Sequence, residues 1–275
     1  MTIVWIDGAL VDEADARISP VDHGLLVGDG VFETLKVVAG VPFALTRHLR
    51  RLRRSAAVLG LGVPVDDAVL RAGADAVVAA NQPDVGRLRI TLTGGPGPLG
   101  SMRGDAGPTL VMVTGPAGTW EAATDVVTVP WPRNERGALA GVKSTSYAEN
   151  VLALDRARAA GGSEAIFANT VGNLCEGTGS NVFVGIGGRL VTPPLSAGPL
   201  AGITRELLLE VTDAVEDDLP LAALAEADEA FLASSTRDVQ PIRAVDGRLL
   251  PAAPGQLTAA AAAAFSALEA RTLDP

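Results

Sequence analysis

The chain has 275 residues, 48% of them hydrophobic, and a formal net charge of −10; its isoelectric point is near 4.7 and its mean hydropathy +0.29. That length can bury one large core or two modest ones, while so acidic a composition offers no basic field for nucleic acid or an anionic membrane. One cysteine, Cys175, gives no internal disulfide framework, the two histidines, His23 and His48, are too far apart in sequence to suggest a zinc site or a Ser-His-Asp triad, and no apolar run reaches membrane-spanning length.

A cytoplasmic protein is expected, with no metal and with its chemistry borrowed from a cofactor. Ile3 to Asp7 and Ala9 to Val11, broken by Asp7-Gly8, predict a hairpin. Gly28-Asp29-Gly30-Val31-Phe32-Glu33-Thr34-Leu35-Lys36-Val37 opens on a glycine turn and then alternates like a strand as far as Gly40. Thr46 is placed to cap a helix from Arg47 to about Leu61, with Leu49, Leu52, Ala56 and Leu59 as its buried stripe. Its arginines, Arg47 to Arg54, are the one basic cluster and read as a solvated face. A second helix from about Asp67 to Ala80 and strands near 87–93 and 109–114 complete a small α/β domain, residues 1–115. The glycine-rich stretch from Gly94 to Asp105 has no Gly-Lys-Ser/Thr ending, so it reads as a flexible loop over a site, not a phosphate cradle.

Gly and Pro cluster from Gly115 onward, marking residues 116–120 as a linker and 121–275 as a second, larger domain. It opens with a strand from Asp125 to Trp131. Lys36 and Lys143 are the only lysines in the chain. Ser146-Tyr147-Ala148-Glu149 has the form of a capping box, followed by Val151, Leu152, Leu154 and Ala157 at helical spacing. Lys143 would then precede a helix N-terminus, where the helix dipole disfavours a positive charge and the amine is easier to hold neutral, the state that condenses with a carbonyl. Taken alone, the pattern fits a surface lysine beside a helix cap more readily than a reactive one. Strands follow from Glu164 to Asn169 and from Leu174 to Val184, then a glycine turn before a helix from Thr204 to Val215. A buried strand from Ala230 to Ala233 leads into Ser234-Ser235-Thr236-Arg237-Asp238; a last strand and turn and an Ala-rich helix from Gln256 to Leu268 close the chain.

Three stretches occur together: Gly141-Val142-Lys143-Ser144-Thr145-Ser146-Tyr147, Glu176-Gly177-Thr178-Gly179-Ser180-Asn181, and Leu200-Ala201-Gly202-Ile203-Thr204-Arg205. In this order and spacing they resemble the class IV aminotransferases, and the resemblance runs from about Ile6 to the C-terminus. It implies the fold-type IV architecture, a two-domain α/β (α+β) protein with a small N-terminal α/β domain and a larger C-terminal pseudo-barrel domain, and a homodimer. The implied cofactor is pyridoxal 5′-phosphate (PLP), carried by Lys143, with Glu176 keeping the pyridine nitrogen protonated and Leu200 packed on the ring. Ile203 and Thr204 are implied phosphate ligands. Arg51, in a His-x-x-Arg-Leu match at His48 to Leu52, is another, with Ser235 or its neighbour Thr236. Tyr147 either bonds the cofactor O3′ or packs within its helix.

The Gly28 to Thr34 run resembles D-amino-acid transaminases and aminodeoxychorismate lyases more than branched-chain transaminases, which implies that Phe32 and Thr34 line the site. D-amino-acid transaminases usually have an arginine near Gly94 for the substrate carboxylate and often a tyrosine where Phe32 stands. Neither is present, which leaves Arg89, Arg103, Arg133 and Arg237 as unranked candidates. The implied activity is amino-group transfer between an amino acid, D-amino acids favoured, and a 2-oxo acid. A lyase releasing pyruvate and 4-aminobenzoate from aminodeoxychorismate is the alternative, and a branched-chain L-transaminase is third. Retention of both Lys143 and Glu176 speaks against a non-enzymatic PLP- or small-ligand-binding protein.

Overall fold

A computed structural model describes residues 2–83 and 85–275. By internal contacts the chain divides into two compact units: Met1–Gly118 with Val142–Tyr147 and Leu273–Pro275, and Thr119–Gly141 with Ala148–Thr272. No helix among the described residues is long and apolar enough to cross a membrane.

The first unit is a six-stranded antiparallel sheet with helices on one face. Its elements are β1 (Ile3–Ile6), β2 (Ala9–Asp12), the single turn α1 (His23–Leu26), β3 (Gly30–Val38), β4 (Val41–Pro42), α2 (Leu45–Val58), α3 (Asp67–Asn81), β5 (Arg87–Thr93) and β6 (Thr109–Gly115), with strand order β2-β1-β6-β5-β3-β4. The predicted β1–β2 hairpin forms through Asp7-Gly8. Side chains alternate across a strand, so Val31, Leu35, Leu88, Ile90, Leu92, Leu110 and Met112 face a core shared with Leu49, Leu52, Ala56, Leu70, Ala74 and Val77 of α2 and α3. The opposite sheet face is left to Phe32 and Thr34 of β3 and to Arg89 and Thr91 of β5, whose register pairs Thr34 with Arg89 and Phe32 with Thr91.

The helix stripe is as predicted, with Leu59 half-buried against it, but the cap is not. Helix α2 begins at Leu45 after Ala44, without a side-chain cap. Thr46 lies inside the first turn, where its hydroxyl donates to Asp274 Oδ2 at 2.5 Å. The C-terminal residues occupy the capping position: Ala44 N–H bonds the Leu273 carbonyl at 2.7 Å.

The second unit holds a nine-stranded mixed sheet. It comprises β7 (Thr124–Thr128), α4 (Ala148–Ala159), β8 (Glu164–Ala168), β9 (Leu174–Gly177), β10 (Asn181–Ile186), β11 (Arg189–Thr192), α5 (Ile203–Val211), β12 (Val215–Glu216), β13 (Glu229–Ser234), β14 (Asp238–Val245), β15 (Arg248–Leu249) and α6 (Gln256–Arg271). The path β10-β13-β14-β7-β8-β9 bends back on its start, because the turn after β9 leads straight into β10, with Gly177 N–H bonding the Ser180 carbonyl at 2.8 Å. This is the expected pseudo-barrel. Val126, Ile166, Leu174, Val182, Leu232 and Ile242 belong to its main core, while Ala153 and Ala157 of α4 pack on Phe167.

Helix α4 starts at Ala148, two residues beyond the predicted cap Ser146. The Ser146 hydroxyl instead donates to the Gly28 carbonyl at 3.1 Å. Asn150, Ala153 and Ala157 are the buried face, and Val151 and Leu152 point outward.

Candidate active site

In the first unit, Lys143 is held by backbone pairing. Lys143 C=O accepts from Phe32 N–H at 3.0 Å and Thr145 N–H donates to Gly30 C=O at 2.8 Å, which lays residues 143–145 against the start of β3. The Thr145 hydroxyl adds a bond to the Gly28 carbonyl at 2.9 Å. A glycine at the head of β3 admits this approach, since a Cβ at Gly30 would press on the Leu92 carbonyl and the Thr145 hydroxyl.

The lysine side chain is half-buried. Its Nζ lies 4.5 Å from the Phe32 ring centroid and 3.5 Å from the Tyr147 hydroxyl. Phe32 and Tyr147 meet edge-on, with centroids 5.1 Å apart. Phe32 thus positions the only tyrosine beside the amine; Tyr147 precedes helix α4 and packs on Phe32, not within the helix as one of its two expected roles had it.

Arg89 reaches the same ring. Its guanidinium carbon is 3.7 Å from the Phe32 centroid, and its Nε donates to Thr91 Oγ1 at 3.1 Å. Burial pulls its pKa below the ordinary value, offset in part by Tyr147, but a guanidinium stays charged. No carboxylate among the described residues pairs with it. Thr34 lies directly across the strand pair.

The other candidate arginines all have carboxylate partners. Arg103 is exposed and sets both prongs of its fork on Asp29 at 2.6 Å, which ties the glycine-rich stretch to the head of β3. Arg133 Nε lies 3.3 Å from Glu176 Oε1, and Arg237 Nη2 lies 3.2 Å from Glu164 Oε2. These partners set the three apart from Arg89.

On the helix side of the sheet, Arg51 is buried and turned onto Glu33, Nε to Oε1 at 2.8 Å and Nη2 to Oε2 at 2.6 Å. His48 Nδ1 meets the same carboxylate at 2.6 Å. Two of the three guanidinium nitrogens of Arg51 are thus committed to Glu33. Glu33 was missed as a site residue, although its place in the alternation is a signal: a carboxylate at a core-facing strand position needs cationic and hydrogen-bonding partners.

In the second unit, the Glu176 to Asn181 motif grips the 200–202 turn at two points. Glu176 Oε2 accepts from Leu200 N–H at 2.8 Å, and Asn181 Nδ2 donates to the Leu200 carbonyl at 2.9 Å. Gly202 is required here, because a Cβ would overlap the Asn181 side-chain oxygen. Helix α5 then begins at Ile203 with no side-chain cap. Its first helical bond runs from Glu206 N–H to Gly202 C=O at 2.9 Å, so the Ile203 to Arg205 amides precede the helical ladder, and the Thr204 hydroxyl is buried among them. Such a donor set suits a phosphate dianion.

Ser235 and Thr236 follow β13 and are half-buried. The Thr236 carbonyl accepts from the Trp120 indole at 2.6 Å, and Arg237 stacks on that indole at 3.9 Å. Buried Glu164, another residue missed from sequence, accepts from Thr178 N–H at 3.0 Å, from the Thr178 hydroxyl, and from the Ser180 hydroxyl at 3.2 Å. It thereby shapes the turn between Glu176 and Asn181. These donors and the paired Glu176 carboxylate match what PLP needs at its phosphate and its ring nitrogen, and the half-buried Lys143 amine matches what it needs at its aldehyde.

Comparison with known proteins points the same way. The profile of the family described as "Amino-transferase class IV" matches residues 30–245. A protein of Methanocaldococcus jannaschii, provisionally named a branched-chain-amino-acid aminotransferase, is 34% identical over 90% of this chain and 89% of its own length. A Bacillus licheniformis protein named D-alanine aminotransferase is 31% identical over 93% of each chain. Among solved structures, the branched-chain aminotransferase of Thermoproteus uzoniensis with norvaline superimposes with a TM-score of 0.89 at 30% identity, covering 96% of this chain and 93% of that one.

Proposed function

The chain belongs to the class IV amino-transferases, a family of PLP-dependent enzymes, and on that premise we propose that it moves an amino group between a D-amino acid and a 2-oxo acid. The observation that carries the reading is Arg89. It is a half-buried cation with no carboxylate partner among the described residues, stacked on the Phe32 ring that also contacts the Lys143 amine, and it suits a substrate α-carboxylate. The D-alanine aminotransferase relative supports the choice of enantiomer. A second reading, a branched-chain L-transaminase, is favoured by the 34% identical relative.

Bound PLP supplies an electron-accepting pyridinium that takes up the electron pair released at the substrate Cα. The chain's own residues would do the rest. Lys143 Nζ would take the Cα proton and return it to the cofactor carbon C4′, the return that distinguishes transamination from elimination. The Tyr147 hydroxyl beside it would orient the amine. Glu176 would hold the proton at the ring nitrogen, and the amides of Ile203 and Thr204, with the Thr204 and Ser235 hydroxyls and the charge of Arg51, would bind the phosphate. Thr236 would be the neighbouring substitute for Ser235.

Exposed Leu25, Leu99 and Met102 in the first unit support the homodimer reading, which light scattering would check. The buried thiol of Cys175 fits a cytoplasmic enzyme. The test of function is absorbance of the PLP-loaded protein with D-alanine, L-leucine and aminodeoxychorismate in turn. Conversion to the pyridoxamine form by D-alanine is expected. Conversion by L-leucine alone would establish the second reading, and release of 4-aminobenzoate without that conversion would make the protein a lyase. Loss of the PLP absorbance band in Lys143→Ala is expected as the control.

A further inference from the structure

We propose that Arg133 is a positioning residue for Glu176, holding that carboxylate ionised and oriented so that the proton it shares with the cofactor stays on the ring nitrogen. The inference rests on the reading that Glu176 faces that nitrogen. Everything else it uses lies within the second unit.

Arg133 follows β7, and its backbone runs beside the end of β8, with its N–H bonding the Ala168 carbonyl at 2.7 Å. The guanidinium is clamped on three sides. It stacks on Phe167 at 4.2 Å, donates from Nη1 to Asn150 Oδ1 at 3.1 Å, and lies 3.7 Å from the exposed carboxylate of Glu149. Asn150 is itself fixed, its Nδ2 donating to the Thr178 carbonyl at 2.5 Å, so the clamp reaches the turn that carries Glu176.

This leaves Nε facing Glu176 Oε1 at 3.3 Å, buried and outside the geometry of a hydrogen bond. The contact is therefore an ion pair, not a shared proton. A fixed positive charge at that range favours the ionised carboxylate, while Leu200 N–H at 2.8 Å holds the other oxygen. With one oxygen beside a cation and the other accepting an amide, Glu176 is a poor resting place for a proton. The more basic pyridine nitrogen of bound PLP would keep the proton instead. Stacking on Phe167 explains why arginine stands here: a planar guanidinium can be fixed by an aromatic face, whereas an ammonium can turn toward Glu149 and water.

The test uses holoenzyme loaded with PLP carrying 15N at the ring nitrogen, in wild type, Arg133→Gln, Arg133→Lys and Glu176→Gln, with circular dichroism of each apoprotein as the folding control. Arg133→Gln is expected to move the ring-nitrogen resonance toward that of neutral pyridine and to lower kcat about tenfold, equivalent to about 1.4 kcal/mol in the barrier, with little change in KM. Arg133→Lys, which keeps the charge without the stacking on Phe167, is expected to restore the wild-type resonance only in part. A wild-type resonance in folded Arg133→Gln, or a shift as large in Arg133→Lys, would overturn the proposal. If Arg133→Gln does not fold, Arg133→His serves, expected to give the wild-type resonance at acid pH and the neutral one at alkaline pH; a resonance independent of pH sinks the idea. Should Glu176→Gln also leave the resonance unmoved, the cofactor reading of Glu176 fails, an outcome distinct from failure of Arg133 alone.

Discussion

Arg51 and Glu33 form a two-pronged ion pair in the interior of the first unit, Nε to Oε1 at 2.8 Å and Nη2 to Oε2 at 2.6 Å, with His48 on the same carboxylate. Burial alone would raise the Glu33 pKa, but the charge and hydrogen bonds of Arg51, with those of His48, outweigh it and bring it down from its ordinary 4.5 to about 2. For His48 burial is the largest influence, and with Arg51 and Lys143 it outweighs Glu33 and lowers the pKa from 6.5.

Both shifts have the same sign for stability. A group whose pKa is lower in the folded chain adds stability above its unfolded value and loses it as pH falls toward the folded one. Unfolding free energy should therefore begin to fall below pH 6.5 through His48 and fall further between about 4.5 and about 2 through Glu33. Glu33→Gln should flatten the lower limb and cost about 3–5 kcal/mol at neutral pH, the usual effect of breaking a buried pair. Urea melts across pH read both, and an unchanged lower limb in the variant would contradict the assignment.

Arg89→Met should raise KM for the amino donor about 10- to 100-fold while PLP binding stays near wild type, because one charge-assisted contact to the substrate carboxylate is lost. Steady-state kinetics with a cofactor titration separates the two effects. An unaltered KM would remove Arg89 from the substrate site.

Asn181→Ala should release the Leu200 carbonyl and loosen the turn that opens α5. The expected result is an apparent PLP affinity about fivefold to tenfold weaker, in line with one neutral hydrogen bond of about 1 kcal/mol, measured by fluorescence during cofactor titration. Gly202→Ala should do at least as much, since its methyl would collide with Asn181.

Glu229 on β13 caps a helix far along the chain: its carboxylate accepts from Leu257 N–H at 3.0 Å and Thr258 N–H at 2.7 Å at the start of α6. Glu229→Ala should cost about 2 kcal/mol, as an N-cap with charge-assisted bonds does. Chemical denaturation measures the loss, and a change under a few tenths of a kcal/mol would mean that water caps α6 equally well.

Much of this was legible in the order of residues. Alternation in β3 and β5, the 3.6-residue stripe of α2 and the glycine turn before α5 are local patterns, each set by backbone geometry within a few residues. The three motifs could be recognised because their chemistry is concentrated in short stretches. Helix starts were less secure: Thr46 and Ser146 both look like caps, but their hydroxyls found Asp274 and Gly28, partners that no local window contains.

By itself the sequence determined the two kinds of layer, through periodicity, and the cofactor family, through the resemblance that its three motifs carry. Only the tertiary structure decided which charges meet. It set Glu33 against Arg51, Glu176 beside Arg133, Asp29 in the fork of Arg103, and gave Arg89 no carboxylate among the described residues. The physical reason is that an ion pair forms where strand register and helix packing bring two side chains within a few ångströms, and neither depends on their separation along the chain.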